Sequence, residues 1–218
     1  MTNDLFDDLP PDADAAPTPI APGAVLMHGF ARHLDAALLD AIDAITAQAP
    51  LRHMQTPGGH TMTVATTSCG ALGWVSDPHG YRYAAFDPKT GQPWPAMPAC
   101  FADLAQHAAA LAGYARFAPN ACLINHYVPG AKMSLHQDKD EKDFTAPIVS
   151  VSLGLTAVFL FGTPVRGERP QRYRLVHGDV VVWGGPSRLA FHGVQALADG
   201  AHALLGRRRI NLTFRRVG

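Results

Sequence analysis

The chain is poor in residues that would staple or anchor it. Only three of its 218 residues are cysteine, Cys69, Cys100 and Cys122, far apart and with no CxxC pair. That argues against a disulfide framework or a thiolate zinc site and fits a reducing cytoplasm. No apolar run approaches the ~20 residues of a membrane-spanning helix, so no membrane partner is expected. The acidic N-terminus lacks the basic start of a secretory signal. Net charge is missing too: eighteen Lys and Arg balance eighteen Asp and Glu, which does not suit tight non-specific DNA binding. There is no internal repeat, no GxSxG, and no cysteine beside a basic partner to serve as a nucleophile.

What charge there is lies unevenly. Residues 1–120 hold five Lys and Arg against eleven Asp and Glu, whereas residues 121–218 hold thirteen against seven. This permits a basic face for an anionic partner. Residues 1–23 carry five aspartates and five prolines and read as a disordered acidic tail. Residues 24–218 then form one domain.

Apolar residues recur with helical period in 33–48, at Leu34, Leu38, Ala41, Ile42 and Ile45, and again in 98–113, at Phe101, Leu104, Ala108 and Leu111. Pro98 suits the first turn of the second helix and Gly113 its end. Residues 51–97, rich in Thr, Gly, Pro and aromatics, read as hairpins and loops that could carry binding residues. Residues 120–218 hold seven or eight short strands bounded by Gly or Pro. The predicted class is α+β, a sandwich or jelly roll with two N-terminal helices buttressing one sheet.

Within that block stands "SLHQDKD", Ser134–Asp140. On a strand, residues two apart share a face, so His136 and Asp138 present an imidazole and a carboxylate together. "RLAFHGV" offers His192 as a third ligand, and two histidines with one carboxylate suit a non-haem Fe(II) facial triad. Alone, His-x-Asp is as readily a surface pair. The strand "RINLTFRR" adds weight: Arg209, Asn211, Thr213 and Arg215 fall on one face, and Ile210, Leu212 and Phe214 on the other. Guanidinium groups bind carboxylates in bidentate fashion, as a dicarboxylic co-substrate requires. Asn125 and Tyr127 in "LINHY" add neutral donors.

"NHY", "HQD", "FHG" and "RINLTFR", in this order and spacing, with "TPGG", "WPAMP" and "NACLIN" in register, resemble the AlkB family of Fe(II)- and 2-oxoglutarate-dependent dioxygenases. The resemblance runs from about Ala24 to the C-terminus. It implies a double-stranded β-helix in which 120–218 is the core and 51–97 a nucleotide-recognition lid built on a β-hairpin. It also implies that His136, Asp138 and His192 hold Fe(II). Arg209 would grip the distal carboxylate of 2-oxoglutarate with Asn125 and Tyr127, while Asn211 and Arg215 lie near the chelating end. Trp74 would stack on a flipped base opposite His136, and Asp140 would meet its cationic ring. Tyr81 and Arg166 would hold the nucleotide, and Lys132 and Ser134 would meet backbone phosphates.

The implied reaction consumes 2-oxoglutarate and O₂, yields succinate and CO₂, and releases an N-methyl group of 1-methyladenine or 3-methylcytosine as formaldehyde. That is direct-reversal DNA repair. Single strands are the expected substrate, since base extrusion costs least there; double-stranded DNA and RNA are further candidates. A monomer suffices. Two other readings stand beside it. The same oxygen chemistry could act on a protein or small molecule. A jelly-roll binding module or zinc hydrolase could use the same ligands, but neither explains why Arg209 and Arg215 share a face. By themselves, Trp74 reads as packing, Asp140 as part of a solvated charge run, and Cys69 and Cys122 as small core residues.

Overall fold

The computed structural model describes residues 16–218. Its strands in chain order are β1 (Thr18–Ala21), β2 (Ala24–Met27), β3 (Arg52–Gln55), β4 (Thr61–Gly70), β5 (Gly73–Asp77), β6 (Gly80–Ala84) and β7 (Ala121–Tyr127). They continue as β8 (Met133–His136), β9 (Ile148–Gly154), β10 (Ala157–Phe161), β11 (Gln171–Leu175), β12 (Val180–Trp183), β13 (His192–Val194) and β14 (Arg209–Arg215). The helices are α1 (Asp35–Gln48) and α2 (Ala99–Leu111). Eight strands form a major sheet in the order β1-β2-β12-β9-β14-β7-β4-β3, and four a minor sheet in the order β11-β10-β13-β8. Every pairing in these sheets is antiparallel.

All seven residues of β14 are buried, charged ones included. A central strand has two covered faces, and period two sorts its residues between them. Ile210, Leu212 and Phe214 join α1, α2 and the alternate residues of β7, β9 and β12 in one apolar core. The helices present Leu38, Ile42 and Ile45, and Phe101, Leu104 and Ala108, to that core. α1 lies against β4, and α2 against β9 and β12. A second core, including Ile148, Phe159, Phe161, Val181 and Trp183, fills the space between the two sheets.

At its centre, along β14, the inner face of the major sheet is polar. Register aligns Asn125 with Asn211 and Asn211 with Ser152, and likewise Leu123, Thr213 and Ser150. Asn125, Asn211 and Ser152 thus form a polar rung across β7, β14 and β9, and Thr213 and Ser150 a shorter one beside the apolar Leu123, with hydrogen bonds from strand to strand. Asn211 donates to Ser150 Oγ (2.8 Å) and the Val151 carbonyl (3.0 Å), while its Oδ1 accepts from Asn125 (3.2 Å) and Thr213 (3.0 Å).

Three boundaries differ from expectation. The expected tail 1–23 runs too far: Thr18–Ala21 is a strand paired with β2, and residues 1–15 lie outside the described residues. Pro19 fits there because β1 is an edge strand and an edge need not donate on its open side. The segment 51–97 is divided between two sheets. β3 and β4 extend the major sheet, and only β5 and β6 stand apart as a two-stranded hairpin. Beneath that hairpin Val75 packs on Ala49 and Trp94. Finally, β8 ends at His136, so Asp138 lies just past the strand rather than on it.

Candidate active site

β8 and β13 pair with His136 directly opposite His192, on the face turned toward the major sheet. Their rings lie 4.4 Å apart between centroids. This closeness depends on Gly193, where a Cβ would sit 2.7 Å from the Met133 carbonyl oxygen. Asp138 reaches back so that its Oδ1 lies 3.6 Å from His136 Nε2 and 3.9 Å from His192 Nε2. Ligand atoms of all three fall within 4.8 Å of one another.

The donor set fits a metal in its protonation as well. Each histidine Nδ1 faces a backbone carbonyl, Ser134 at 2.9 Å and Ala190 at 3.0 Å. A carbonyl can only accept, so Nδ1 carries the proton and Nε2 offers its lone pair. Burial, and then neighbouring His136, push His192 down to about 4, which keeps it a neutral ligand. Burial works to lower His136 as well, but Asp138 and the Ser134 carbonyl outweigh it and raise the value. For Asp138 burial works upward, yet Arg215 and the two histidines hold its carboxyl well below the usual range.

Behind Asp138 stands an ion-pair network. Arg215 donates to Asp138 Oδ2 from Nε (2.8 Å) and Nη2 (2.6 Å), leaving Oδ1 for the histidine side. Arg215 Nε also lies 3.3 Å from Glu141 Oε1. Arg188 donates to Glu141 Oε2 (3.0 Å) and to the carbonyls of Asp138 (2.8 Å) and Ala146 (3.0 Å).

Across the cavity, Arg209 is 1 % exposed. Its Nη2 donates to Ser152 Oγ (2.9 Å) and its plane lies over the Tyr127 ring, 4.9 Å from the centroid. Its Nε and Nη1 have no hydrogen-bond partner, and no carboxylate among the described residues pairs with it. Burial lowers its pKa. A buried cation with two orphaned donors costs several kcal/mol unless an anion meets it. It is therefore suited to a carboxylate from outside.

The hairpin closes the mouth. Trp74 on β5 and Tyr81 on β6 stack, with centroids 5.6 Å apart and planes 13° off parallel. Trp74 Nε1 donates to Asp140 Oδ2 at 2.8 Å, which leaves Oδ1 open. Arg166 lies over the Phe191 ring at 5.2 Å. The Lys132 backbone N–H donates to Thr63 Oγ1 (3.1 Å).

One cavity of about 600 Å³ is lined by every residue the sequence marked: the three ligand candidates, Asn125, Tyr127, Arg209, Asn211, Arg215, Trp74, Tyr81, Lys132, Ser134, Asp140 and Arg166. Their freedom differs. Arg209 has donors to spare, whereas Asn211 and most of Arg215 are already engaged by protein partners. Those contacts hold both side chains, and the partners they meet, in fixed positions. His60, on the turn before β4, also lines the cavity. Cys69 and Cys122 face each other across β4 and β7 in the core, and burial pushes the Cys122 thiol well up, so it is no nucleophile.

Sequence reasoning missed Glu141, Arg188, Tyr83 and Ser152. Glu141 is hidden in a charge run that reads as solvated. Ser152 was findable, since alternation from Ser150 puts both serines opposite the apolar face of "IVSVSLG".

The family model of the 2OG-Fe(II) oxygenase superfamily matches residues 23–215. The alpha-ketoglutarate-dependent dioxygenase AlkB of Salmonella typhimurium is 58% identical over 207 residues, 94% of this chain and 96% of that one. Its namesake in Escherichia coli is 54% identical over 211 residues, 97% and 98% of the two chains. The tRNA demethylase abh1 of Schizosaccharomyces pombe is 38% identical over 109 residues, 44% of this chain and 36% of that one. Among solved structures, OsALKBH1 superposes with a TM-score of 0.78 at 29% identity, over 92% of this chain and 99% of that one. The triad, the unpaired guanidinium and these likenesses agree: the chain belongs to the 2OG-Fe(II) oxygenase superfamily and, within it, to the AlkB-type dioxygenases that use Fe(II), 2-oxoglutarate and O₂.

Proposed function

We propose that the protein removes N-alkyl groups oxidatively from nucleic-acid bases of the 1-methyladenine and 3-methylcytosine type, with single-stranded DNA as its preferred substrate and RNA as a second polymer. The observation that carries this reading is one cavity that combines an iron-type triad, an unanswered guanidinium and a stacked aromatic pair at the mouth. Names of relatives support the substrate class: besides the tRNA demethylase, a DNA N(6)-methyladenine demethylase of Arabidopsis thaliana is 38% identical over 108 residues.

His136, Asp138 and His192 would hold Fe(II), which, when bound with 2-oxoglutarate and O₂, supplies the oxidising power for hydroxylating the N-alkyl carbon. Arg209 holds the distal carboxylate of 2-oxoglutarate. Ser152 and Tyr127 keep the guanidinium in one orientation, so little order is lost on binding. Trp74 and Tyr81 cover the base and exclude water, and Trp74 faces a ring that is cationic when alkylated. Asp140, fixed through Trp74, offers Oδ1 to that positive charge. Arg166, Lys132 and Ser134 hold the nucleotide and its phosphates at the rim, with β5 and β6 as the lid. The hydroxymethyl product then loses formaldehyde without a protein nucleophile.

Nothing in this reading requires a second subunit. No helix among the described residues is long and apolar enough to cross a membrane.

Mass spectrometry of oligonucleotides carrying 1-methyladenine or 3-methylcytosine, with Fe(II), 2-oxoglutarate and air, tests the proposal. Loss of 14 Da per modified base, as expected for methyl replaced by hydrogen (~14 Da), with stoichiometric formaldehyde, supports it. Uncoupled succinate formation with every oligonucleotide unchanged overturns it in favour of a protein or small-molecule substrate.

A further inference from the structure

Glu141 has more partners than a loop residue needs. It is 5 % exposed, and its carboxylate joins three separate parts of the chain. Arg188, after β12, donates to Oε2. Arg215, on β14, lies against Oε1. The Tyr83 hydroxyl, on β6 of the hairpin, donates to Oε1 at 2.5 Å. The same Arg215 holds Asp138 Oδ2, and the same Arg188 holds the Asp138 carbonyl. The hairpin's other polar ties are different in kind: Trp74 meets Asp140 at the exposed mouth, Ser76 donates to the Gln55 carbonyl at its far side, and the Ala84 carbonyl accepts from Trp94 Nε1 at 2.9 Å. Only Tyr83 reaches the buried charges. Asp138, Glu141, Arg188 and Arg215 sum to zero charge, and such a group resists loss of any one member because the rest are left unbalanced.

We propose that Glu141 is a positioning residue that links the seating of the β5–β6 hairpin to the orientation of the Asp138 carboxylate, through Tyr83 on one side and Arg215 on the other. A hairpin that lifts withdraws the Tyr83 hydroxyl, Glu141 shifts toward its arginines, and Arg215 changes its hold on Asp138 Oδ2. Linkage makes this reciprocal: what fixes Asp138 also steadies the hairpin. The inference rests on Asp138 being a metal ligand, so its test includes a measurement that does not depend on the metal.

Tyr83→Phe and Glu141→Gln are compared with the unaltered protein by hydrogen exchange of residues 73–84, metal-free and with Mn(II), alongside Mn(II) titration. In the unaltered protein, Mn(II) slows hairpin exchange. Tyr83→Phe speeds metal-free hairpin exchange about tenfold, the loss of one hydrogen bond to a charged acceptor, and abolishes the slowing by Mn(II). Glu141→Gln retains an acceptor for Tyr83 but weakens Mn(II) binding about tenfold, as loss of a residue behind a ligand does. Hairpin exchange in Tyr83→Phe equal to that of the unaltered protein, or slowed by Mn(II) to the same extent, overturns the proposal. If Mn(II) binds none of the three proteins, the metal reading fails, and the metal-free exchange still decides whether Tyr83 ties the hairpin down. Should Glu141→Gln not fold, Tyr83→Phe carries the test alone.

Discussion

Arg209, in its proposed role, would trade stability for binding. Its guanidinium is buried with two donors unanswered, so the ligand-free protein carries the burden of an unpaired charge. Arg209→Met should raise the melting temperature of the ligand-free protein by a few degrees, about 1 kcal/mol or more. It should also weaken 2-oxoglutarate binding by about 100-fold, the loss of a charge-assisted bidentate contact. Calorimetry without co-substrate and titration with it measure the two effects separately; a variant that is both less stable and still binds tightly contradicts this account. His177 gives a residue-scale pH dependence. Its Nδ1 accepts from the Gly154 N–H at 3.0 Å, so a proton there would set two donors face to face. Burial lowers its pKa from 6.5, and the nearby Asp35 offsets this only in part. The unfolded chain therefore binds the proton first as pH falls, and stability drops below about pH 6.5. His177→Gln should make that acid limb shallower in urea titrations between pH 7 and 5, and His192, held at about 4, accounts for slope that remains.

At the scale of elements, the β8–β13 pair is held by the absence of a side chain. Gly193→Ala would push a methyl against the Met133 carbonyl and the backbone of Ser134 and Leu135. The strands must part, and His136 moves away from His192. Mn(II) affinity should fall at least tenfold while far-UV circular dichroism stays near that of the unaltered protein. In its proposed role the β5–β6 hairpin would act on substrate instead. Trp74→Ala should raise KM for an alkylated oligonucleotide about tenfold or more, the worth of one stacked base, and leave 2-oxoglutarate affinity unchanged. Turnover indifferent to that change points to a substrate other than a nucleic acid. Elements with strict period were legible: the two faces of β14 and most of the buried stripes of α1 and α2 followed from spacing, although Leu111, expected on the buried face of α2, is exposed at its last turn. β1 was not, because Pro19 and Pro22 read as tail until an edge strand accommodates Pro19. The long strand β4 was hidden among threonines and glycines, since its membership of the major sheet depends on pairing with β7, far along the chain.

For the whole molecule, the site is a property of two sheets at once. The candidate metal ligands belong to or follow the minor sheet, on β8 and β13, whereas Arg209 stands on the major sheet. Sequence reasoning found these residues because each lies in a distinctive short motif. It could not find the Arg188–Glu141 pair, 47 positions apart, because nothing local in "DKDEKD" separates a buried charge from a solvated one. The division between sheets also sets a dimension. Facing sheets pack about 10 Å apart, and that gap is fixed by Phe159, Phe161, Trp183 and their neighbours rather than by the ligands. With Arg209 proposed at one end of the co-substrate and the candidate metal ligands at the other, the sandwich would work as a caliper on carbon count. A keto diacid one methylene shorter would fall short of one jaw, and one methylene longer would have to buckle or wedge them apart, so discrimination among such acids would lie in the thickness of a hydrophobic layer.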